Sequence, residues 1–424
     1  MLALAPGGLV RAADPDALTL HEAYALALRQ SEQVDIAAVN RELASGAYTG
    51  ALTAIGPSVA VTTTATYQNY VDAPAPPGQP AGSLQPPYSV TTRALAALPI
   101  FRRSVFDARR AAKLGVEGAD ALLVRARQQL MIDVATAFIG VLQARQQVTI
   151  SQNALNRADA QAQVVTGQLR AGGALKTAEL LAQLDVRRAQ AQLVASQGVL
   201  RQHESSFERL VGVPAPAHLD LPPTPMKDAY VDLDRTGPVR RPDLRALHLA
   251  TDQARATVTY LQNKIFWPIL DLNLYAGYVH VANTSPTATT DLSYPIYGLT
   301  GAVTVPLFQT GDEWLQVRLQ RQRVSLAVDQ ESLLRRQIDD DVRQALARIE
   351  TANRAIDVAN EQVKIALQNY QQVTTVYKLG RATALEVTTA LNFVSEAETS
   401  RLQAAYEREL ATYTLLFSEG KIDL

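Results

Sequence analysis

The chain has 424 residues, a formal charge of -1 and no cysteine. Near-neutrality offers no field for nucleic acid, and without thiols the sequence can supply no disulfide, thiolate metal site or cysteine-borne lipid anchor. No run of 18 consecutive apolar residues occurs, so a membrane-spanning helix is excluded and a β-barrel is the remaining way through a bilayer.

Residues 1–17 open on a short apolar run that closes at Val10-Arg11-Ala12, a signal-peptidase-like site before Ala13, but they lack a basic start; they read as a secretion-signal remnant or a disordered tail. Helical patterning covers 18–56, with Thr19 placed as N-cap and Glu22 completing a capping box. At Gly56-Pro57 the period changes to two. Val59, Val61, Thr63, Ala65 and Tyr67 then face away from Ser58, Ala60, Thr62, Thr64, Thr66 and Gln68, which gives a strand with one apolar and one hydroxyl-lined face.

Pro- and Gly-rich residues 71–86 form a loop. A second alternating stretch sets Tyr88, Val90, Thr92, Ala94, Ala96 and Leu98 against Ser89, Thr91, Arg93 and Leu95. A long helix is expected from just after Phe101. Its seam runs Leu130, Val134, Ala137, Val141, Ala144, Val148, a polar break at Ser151, then Leu155, Ala158, Ala162, Val165 and Leu169, the 3.5-residue rhythm of packed helices. With no proline between Arg103 and Leu169, one helix of roughly 100 Å is expected at 1.5 Å per residue. It ends at a glycine turn, Gly172-Gly173-Ala174-Leu175-Lys176-Thr177, from which a helix returns.

Proline-rich residues 213–242 link to a second half that repeats the plan: a helix over 243–267, two strands over 268–306, and helices over 311–417. Leu270, Leu272, Leu274, Ala276 and Tyr278 alternate with Asp271, Asn273, Tyr275 and Gly277, and after the loop NTSPTATT a strand follows with Tyr297, Leu299, Gly301, Val303 and Val305 on one face. The second seam, Val342, Ala345, Ile349, Ala352, Ile356, Ala359, Val363, Ala366, Tyr370, Val373 and Tyr377, leads to the turn Leu379-Gly380-Arg381-Ala382-Thr383. A shift of 207 superimposes Pro99 on Pro306, Asp133 on Asp340, Gly173 on Gly380 and Glu179 on Glu386, before Gly212 meets Gly420 one place later. Residues 418–424 close the chain as a short equatorial segment.

The four strands, each about 12 to 14 residues in this reading, cannot close a barrel alone, because the smallest transmembrane barrels need about eight. Several chains must share one. Phe101, Phe266, Trp267, Phe308 and Trp314 cluster where strands meet helices, while Tyr67, Tyr70, Tyr88, Tyr278, Tyr294 and Tyr297 lie toward the loop ends, as two membrane-interface girdles would. A soluble β-domain with these aromatics in its core leaves the polar strand face unexplained. Arg93, Asp271 and Asn273 lie on that polar face and are lumen-facing candidates; Arg93 turned to lipid would cost about 2 to 4 kcal/mol near the midplane.

No catalytic constellation is present. The histidines, His21, His203, His218, His248 and His280, lack metal-ligand spacing, and no phosphate-binding or nucleophile motif occurs. Asp339, Asp340 and Asp341 point in different directions on a helix, so they read as a solvated face, with Asp340 and Asp133 turned to a duct or to an arginine of a neighbouring chain. Neither an enzyme nor a cofactor or metal site is expected.

The LTLHEAYALALRQ opening, Val305-Pro306-Leu307-Phe308-Gln309-Thr310-Gly311, Arg241-Pro242-Asp243-Leu244 and the closing LLFSEGKIDL, with the order helix, hairpin, long helix, turn, helix twice over, resemble the TolC family of outer-membrane efflux proteins. The resemblance implies a homotrimer in the outer membrane of a Gram-negative bacterium. It implies a mainly α fold: a periplasmic α-barrel of coiled-coil helices plus a shared 12-stranded β-barrel, four strands per chain. It further implies that Gly172–Thr177 and Leu379–Thr383 dock a periplasmic adaptor of an inner-membrane pump. Many members carry an acidic ring before the second turn; here Asn369, Tyr370, Gln371 and Gln372 stand there, so Tyr370, Gln371 and Tyr377 are the constriction candidates. The expected function is a passive exit duct for small molecules such as drugs. Its rivals are a duct for type I protein secretion and, in another class, a soluble coiled-coil scaffold.

Overall fold

The computed structural model describes residues 17–68, 88–173, 175–220, 241–285, 288–305 and 311–422. Seven helices lie among them: α1 Leu20–Leu28, α2 Glu32–Thr53, α3 Arg103–Arg170, α4 Lys176–Val211, α5 Pro242–Phe266, α6 Asp312–Lys378 and α7 Ala384–Glu419. The strands are β1 Ala17–Thr19, β2 Ser58–Tyr67, β3 Tyr88–Arg102, β4 His218–Asp220, β5 Ile269–Ser285 and β6 Ala288–Thr304. Two compact units divide the chain, one drawn from 1–39, 121–245 and 332–424, the other from 40–120 and 246–331. The divisions fall inside α2, α3, α5 and α6.

In the first unit the predicted seams are the buried ones. Along α6 every residue from Val342 to Tyr377 in the seam is buried or half-buried, and nearly all the residues between them are exposed. A 3.5-residue stripe of small and branched side chains can be covered only by other helices lying alongside. The largest core joins α1, α3, the end of α4 and the end of α7. In it Phe138 meets Phe207 with ring centroids 6.2 Å apart, and Leu20, Val134 and Ile422 are fully enclosed.

The Thr19–Glu22 capping box is formed in both directions. The helical stretch after it is broken, however: α1 stops at Leu28 and Ser31 caps α2 by accepting from the Val34 amide at 3.4 Å. Within 213–242, expected as a linker or equatorial segment, β4 pairs in parallel with β1, and Arg145 of α3 donates to the carbonyls of Ala217 and Ala215. Residues 221–240 lie outside the described residues.

A buried charge cluster ties the start of α5 to the long helices. Arg241, only 7% exposed, grips Asp243 with two nitrogens at 3.1 and 2.6 Å and reaches Asp341 of α6 at 3.0 Å. Arg125 of α3 lies 3.5 Å from Asp243, 3.6 Å over the Phe417 ring, and donates to the Phe417 carbonyl; Gln128 donates to the Gly420 carbonyl. Burial pulls Arg125 down to about 10, Asp243 partly opposing it. Asp243 is pushed up by burial, but the Arg241 hydrogen bonds and both guanidinium charges outweigh that and leave it below the ordinary carboxylate value.

In the second unit β2, β3, β5 and β6 form an antiparallel sheet in that order. The register brings the predicted faces together: Val61 opposite Ala94, Ala94 opposite Ala276, Leu274 opposite Leu299. Two hydroxyls on the apolar face, Thr63 and Thr92, satisfy each other at 3.1 Å. β5 and β6 are 17 residues each, longer than the 12 to 14 expected, because most of the NTSPTATT segment belongs to the strands.

The sequence reading also missed a β-bulge at Ile100. Leu98 pairs with Leu272 and Pro99 with Asp271, then Phe101, not Ile100, pairs with Leu270. Strict alternation would put Phe101 on the polar face and Arg102 on the apolar one. The extra residue exchanges them, so Phe101 stacks near Trp267 and Arg102 donates to Asp271 at 3.0 Å.

The repeat offset is 208, not 207, through the helices and both turns. The seams superimpose at 208 (Val134 on Val342, Val165 on Val373), as do the starts of α4 and α7 and the positive-φ residues Gly172 and Gly380.

Replacing Arg241 by Ala would leave Asp243 enclosed without its main partner, and removing one member of a buried ion pair costs about 3 to 5 kcal/mol. A clearly lowered unfolding midpoint is expected in the detergent-solubilised protein. Because Asp243 is held low in the folded state, its contribution is complete above the ordinary carboxylate pKa and is lost as pH falls through the folded value. Asp243→Asn should therefore be less stable than the parent at pH 7 and close to it at strongly acid pH.

Candidate functional site

Both turns of the first unit are built by the same local chemistry. At the end of α3 the Gly172 amide donates to Leu169 and the Gly173 amide to Gln168; at the end of α6 Gly380 donates to Tyr377 and Arg381 to Val376. These are Schellman motifs, which need a left-handed residue after the helix, supplied by Gly172 at φ +76° and Gly380 at φ +73°. The turns differ on the other side. Thr383 caps α7 in a full capping box with Glu386, whereas Leu175 stands at the N-cap of α4 with no side-chain bond. Leucine has no oxygen to accept from the helix amides, and Glu179, the fourth residue of α4 rather than the third, bonds Lys176 instead.

The turns are held to each other by a small core. Val165, Ala182, Tyr377 and Val387 are buried together, flanked by Ala178, Tyr370, Val373 and Ala382. Below them the Thr388 hydroxyl of α7 donates to the Asp185 carboxylate of α4 at 2.6 Å, and Arg157 of α3 grips Glu398 of α7 with two bonds of 3.2 and 2.8 Å. Sequence reasoning found neither contact, because partners more than 200 residues apart leave no local signal.

Among the constriction candidates, Tyr377 is buried inside this core, and burial pushes its phenol up. Tyr370 is half-buried beside it and Gln371 is exposed. The docking candidates Gly172, Gly173, Leu175, Lys176, Thr177, Leu379, Gly380 and Arg381 are exposed; Ala382 is half-buried and Ala174 lies outside the described residues. Leu175 and Leu379 are 75% and 69% exposed. Arg170, Lys378 and Arg381 have no carboxylate partner among the described residues, so the turns carry a net positive charge.

In the second unit, Arg93, Asp271 and Asn273 share the polar face of the sheet, since Arg93 pairs with Gly277 and β5 alternates from there. The opposite face is bare: Val61 is 71% and Tyr297 83% exposed. Phe101 lies 6.2 Å from Trp267, and Phe266 meets Trp314 edge-on at 5.5 Å, so four of the five predicted interface aromatics form two pairs where strands meet helices. Phe308 lies outside the described residues. Among the described residues no group of three or more His, Cys, Asp or Glu is placed to hold a metal ion, and no helix is long and apolar enough to cross a membrane.

A family model described as outer membrane efflux protein matches residues 23–213 and 239–421. The outer membrane efflux protein BepC of Brucella suis is 21% identical over 302 residues, a match covering 70% of this chain and 64% of that protein, so the chain spans less than two thirds of this relative. Among solved structures, the Campylobacter jejuni CmeC outer membrane channel superimposes with a TM-score of 0.77 at 13% identity, over 95% of this chain and 85% of that one. The Vibrio cholerae outer membrane protein VceC gives 0.76 at 17% identity, over 95% and 96%.

Thr388→Val removes a hydrogen bond to a mostly buried carboxylate, a loss of about 1.5 to 3 kcal/mol. Amide exchange at the start of α4 and α7 should then quicken about tenfold or more, while exchange in the core around Phe138 stays unchanged. On the expectation that Tyr370 and Gln371 line the constriction, hexamminecobalt added at the turn side should leave single-channel current unblocked. Tight block there would refute that reading of the constriction.

Proposed function

Because the chain belongs to the outer membrane efflux protein family, we propose that it is a passive exit duct in the outer membrane, three copies sharing one 12-stranded barrel above a periplasmic barrel of helices. The observation that carries this is the sheet: four strands with both outer edges unpaired among the described residues, one face apolar and bare, the other lined by hydroxyls. Covering that apolar face is worth about 1.5 to 3 kcal/mol for each large side chain, and in lipid every edge group must find a partner. Hydrocarbon outside, water inside and two further copies at the edges meet all three demands.

In this reading Phe101, Phe266, Trp267 and Trp314 mark the inner membrane boundary, and Arg93, Asp271 and Asn273 face the water. The turns, Gly172–Thr177 and Leu379–Thr383, receive a periplasmic adaptor that joins the duct to an inner-membrane pump, with the exposed leucines as its contacts. Tyr370, Gln371 and Tyr377 lie at the narrowest level, and separation of the turns opens it. The duct serves the efflux of small molecules such as drugs, efflux being what the name of the Brucella suis relative states for that protein, and works as a conduit with the pump supplying the energy.

Light scattering on the detergent-purified protein should return the mass of three chains; a monodisperse monomer without detergent would favour a soluble scaffold and end the duct reading. Leu379→Asp, a substitution at an exposed site, should leave the trimer intact yet raise cellular accumulation of a fluorescent efflux dye several-fold. Unchanged accumulation would remove Leu379 from the docking surface.

A further inference from the structure

The polar face of the four-stranded sheet carries three charged side chains among the described residues: Arg93, Arg102 and Asp271. Two of them cancel, because Arg102 donates to Asp271 at 3.0 Å. Among the described residues Arg93 is left exposed with no carboxylate or hydrogen-bond partner. It stands between Thr62 on β2 and Gly277 on β5. A Cβ on Gly277 would come within 2.1 Å of the Thr92 carbonyl oxygen and 2.8 Å of the Arg93 Cβ, so the backbones here approach too closely for any other residue. The glycine keeps the space beside the guanidinium clear. On its other side Thr62 and Thr64 present hydroxyls on the same face, and Thr91 lies two residues along β3.

A guanidinium is a fixed fork of N–H donors suited to carboxylate and phosphate oxygens, and threonine hydroxyls can donate beside it. Three-fold symmetry would set three such forks at one level of a narrow passage, where low-dielectric walls focus their common field. We infer that Arg93, with Thr62 and the cleared space over Gly277, is a binding site inside the barrel for solutes bearing carboxylate or phosphate groups, and that it biases the duct toward anions. The inference rests on the duct reading proposed above.

The test is the reconstituted full-length protein in planar bilayers, comparing wild type with Arg93→Gln and Arg93→Lys. In wild type, millimolar citrate on the strand-loop side should produce current blockades, and chloride should permeate better than potassium in a salt gradient. Arg93→Gln should abolish the blockades and lower the chloride-to-potassium permeability ratio at least twofold; Arg93→Lys should keep the ratio and weaken the blockades, since a point charge lacks the fork. A conducting Arg93→Gln channel with unaltered blockade and permeability ratio overturns the site while leaving the duct standing. A wild-type protein that forms no detergent-stable trimer overturns the duct and the site with it.

Discussion

Among the described residues, the amide and carbonyl groups along the outer edges of β2 and β6 have no partner strand, and the sheet between them has no core. Its apolar side chains point away from the protomer as plainly as its threonines do. A sheet in water resolves this by folding a helix over its apolar face; among the described residues none is placed there, and the strands run to 17 residues without one. The remaining resolution is closure with strands of other copies inside hydrocarbon. Membrane, oligomer and conduit all follow from that constraint on backbone hydrogen bonds.

The helices obey a related constraint. A seam stepping by three and four residues over 35 positions of α6, with Ala alternating against Val and Ile, fits only neighbours that lie alongside for the same distance. Writing the plan twice at a constant offset of 208 gives both halves seams and turns of one length. The Arg241 cluster then pins the start of the second half against α3, α6 and the end of α7. The two pairs to Asp243 are largely enclosed, so they fix geometry more than they add stability.

Periodic features were legible because period is what packing imposes. The seams, the strand faces, the Thr19 capping box and the bounds of α3 and α6 could be read from spacing alone. What could not be read depends on a partner distant in the chain. The Ile100 bulge is defined by β5, the β1–β4 pairing by strands some 200 residues apart, and the break at Ser31 by one hydroxyl competing with a continuing helix. The offset was misjudged at Gly172-Gly173, where two adjacent glycines make letters ambiguous and only the backbone selects which one turns left-handed. For the site, the turn residues were visible as glycine chemistry, but the core position of Tyr377 and the Thr388–Asp185 bond were not.

The unequal starts of α4 and α7 have a mechanical meaning. A side-chain cap is worth about 1 kcal/mol, so the return helix after Gly380 begins firmly while the one after Gly172 begins with its first amides unclaimed by any side chain. In a ring of three chains the turns alternate, and six positions of one shape become two interleaved sets of three with different compliance. A ring of this kind, as proposed above, would yield first at alternate points, and its intermediate would keep three-fold symmetry while the apparent six-fold symmetry is lost.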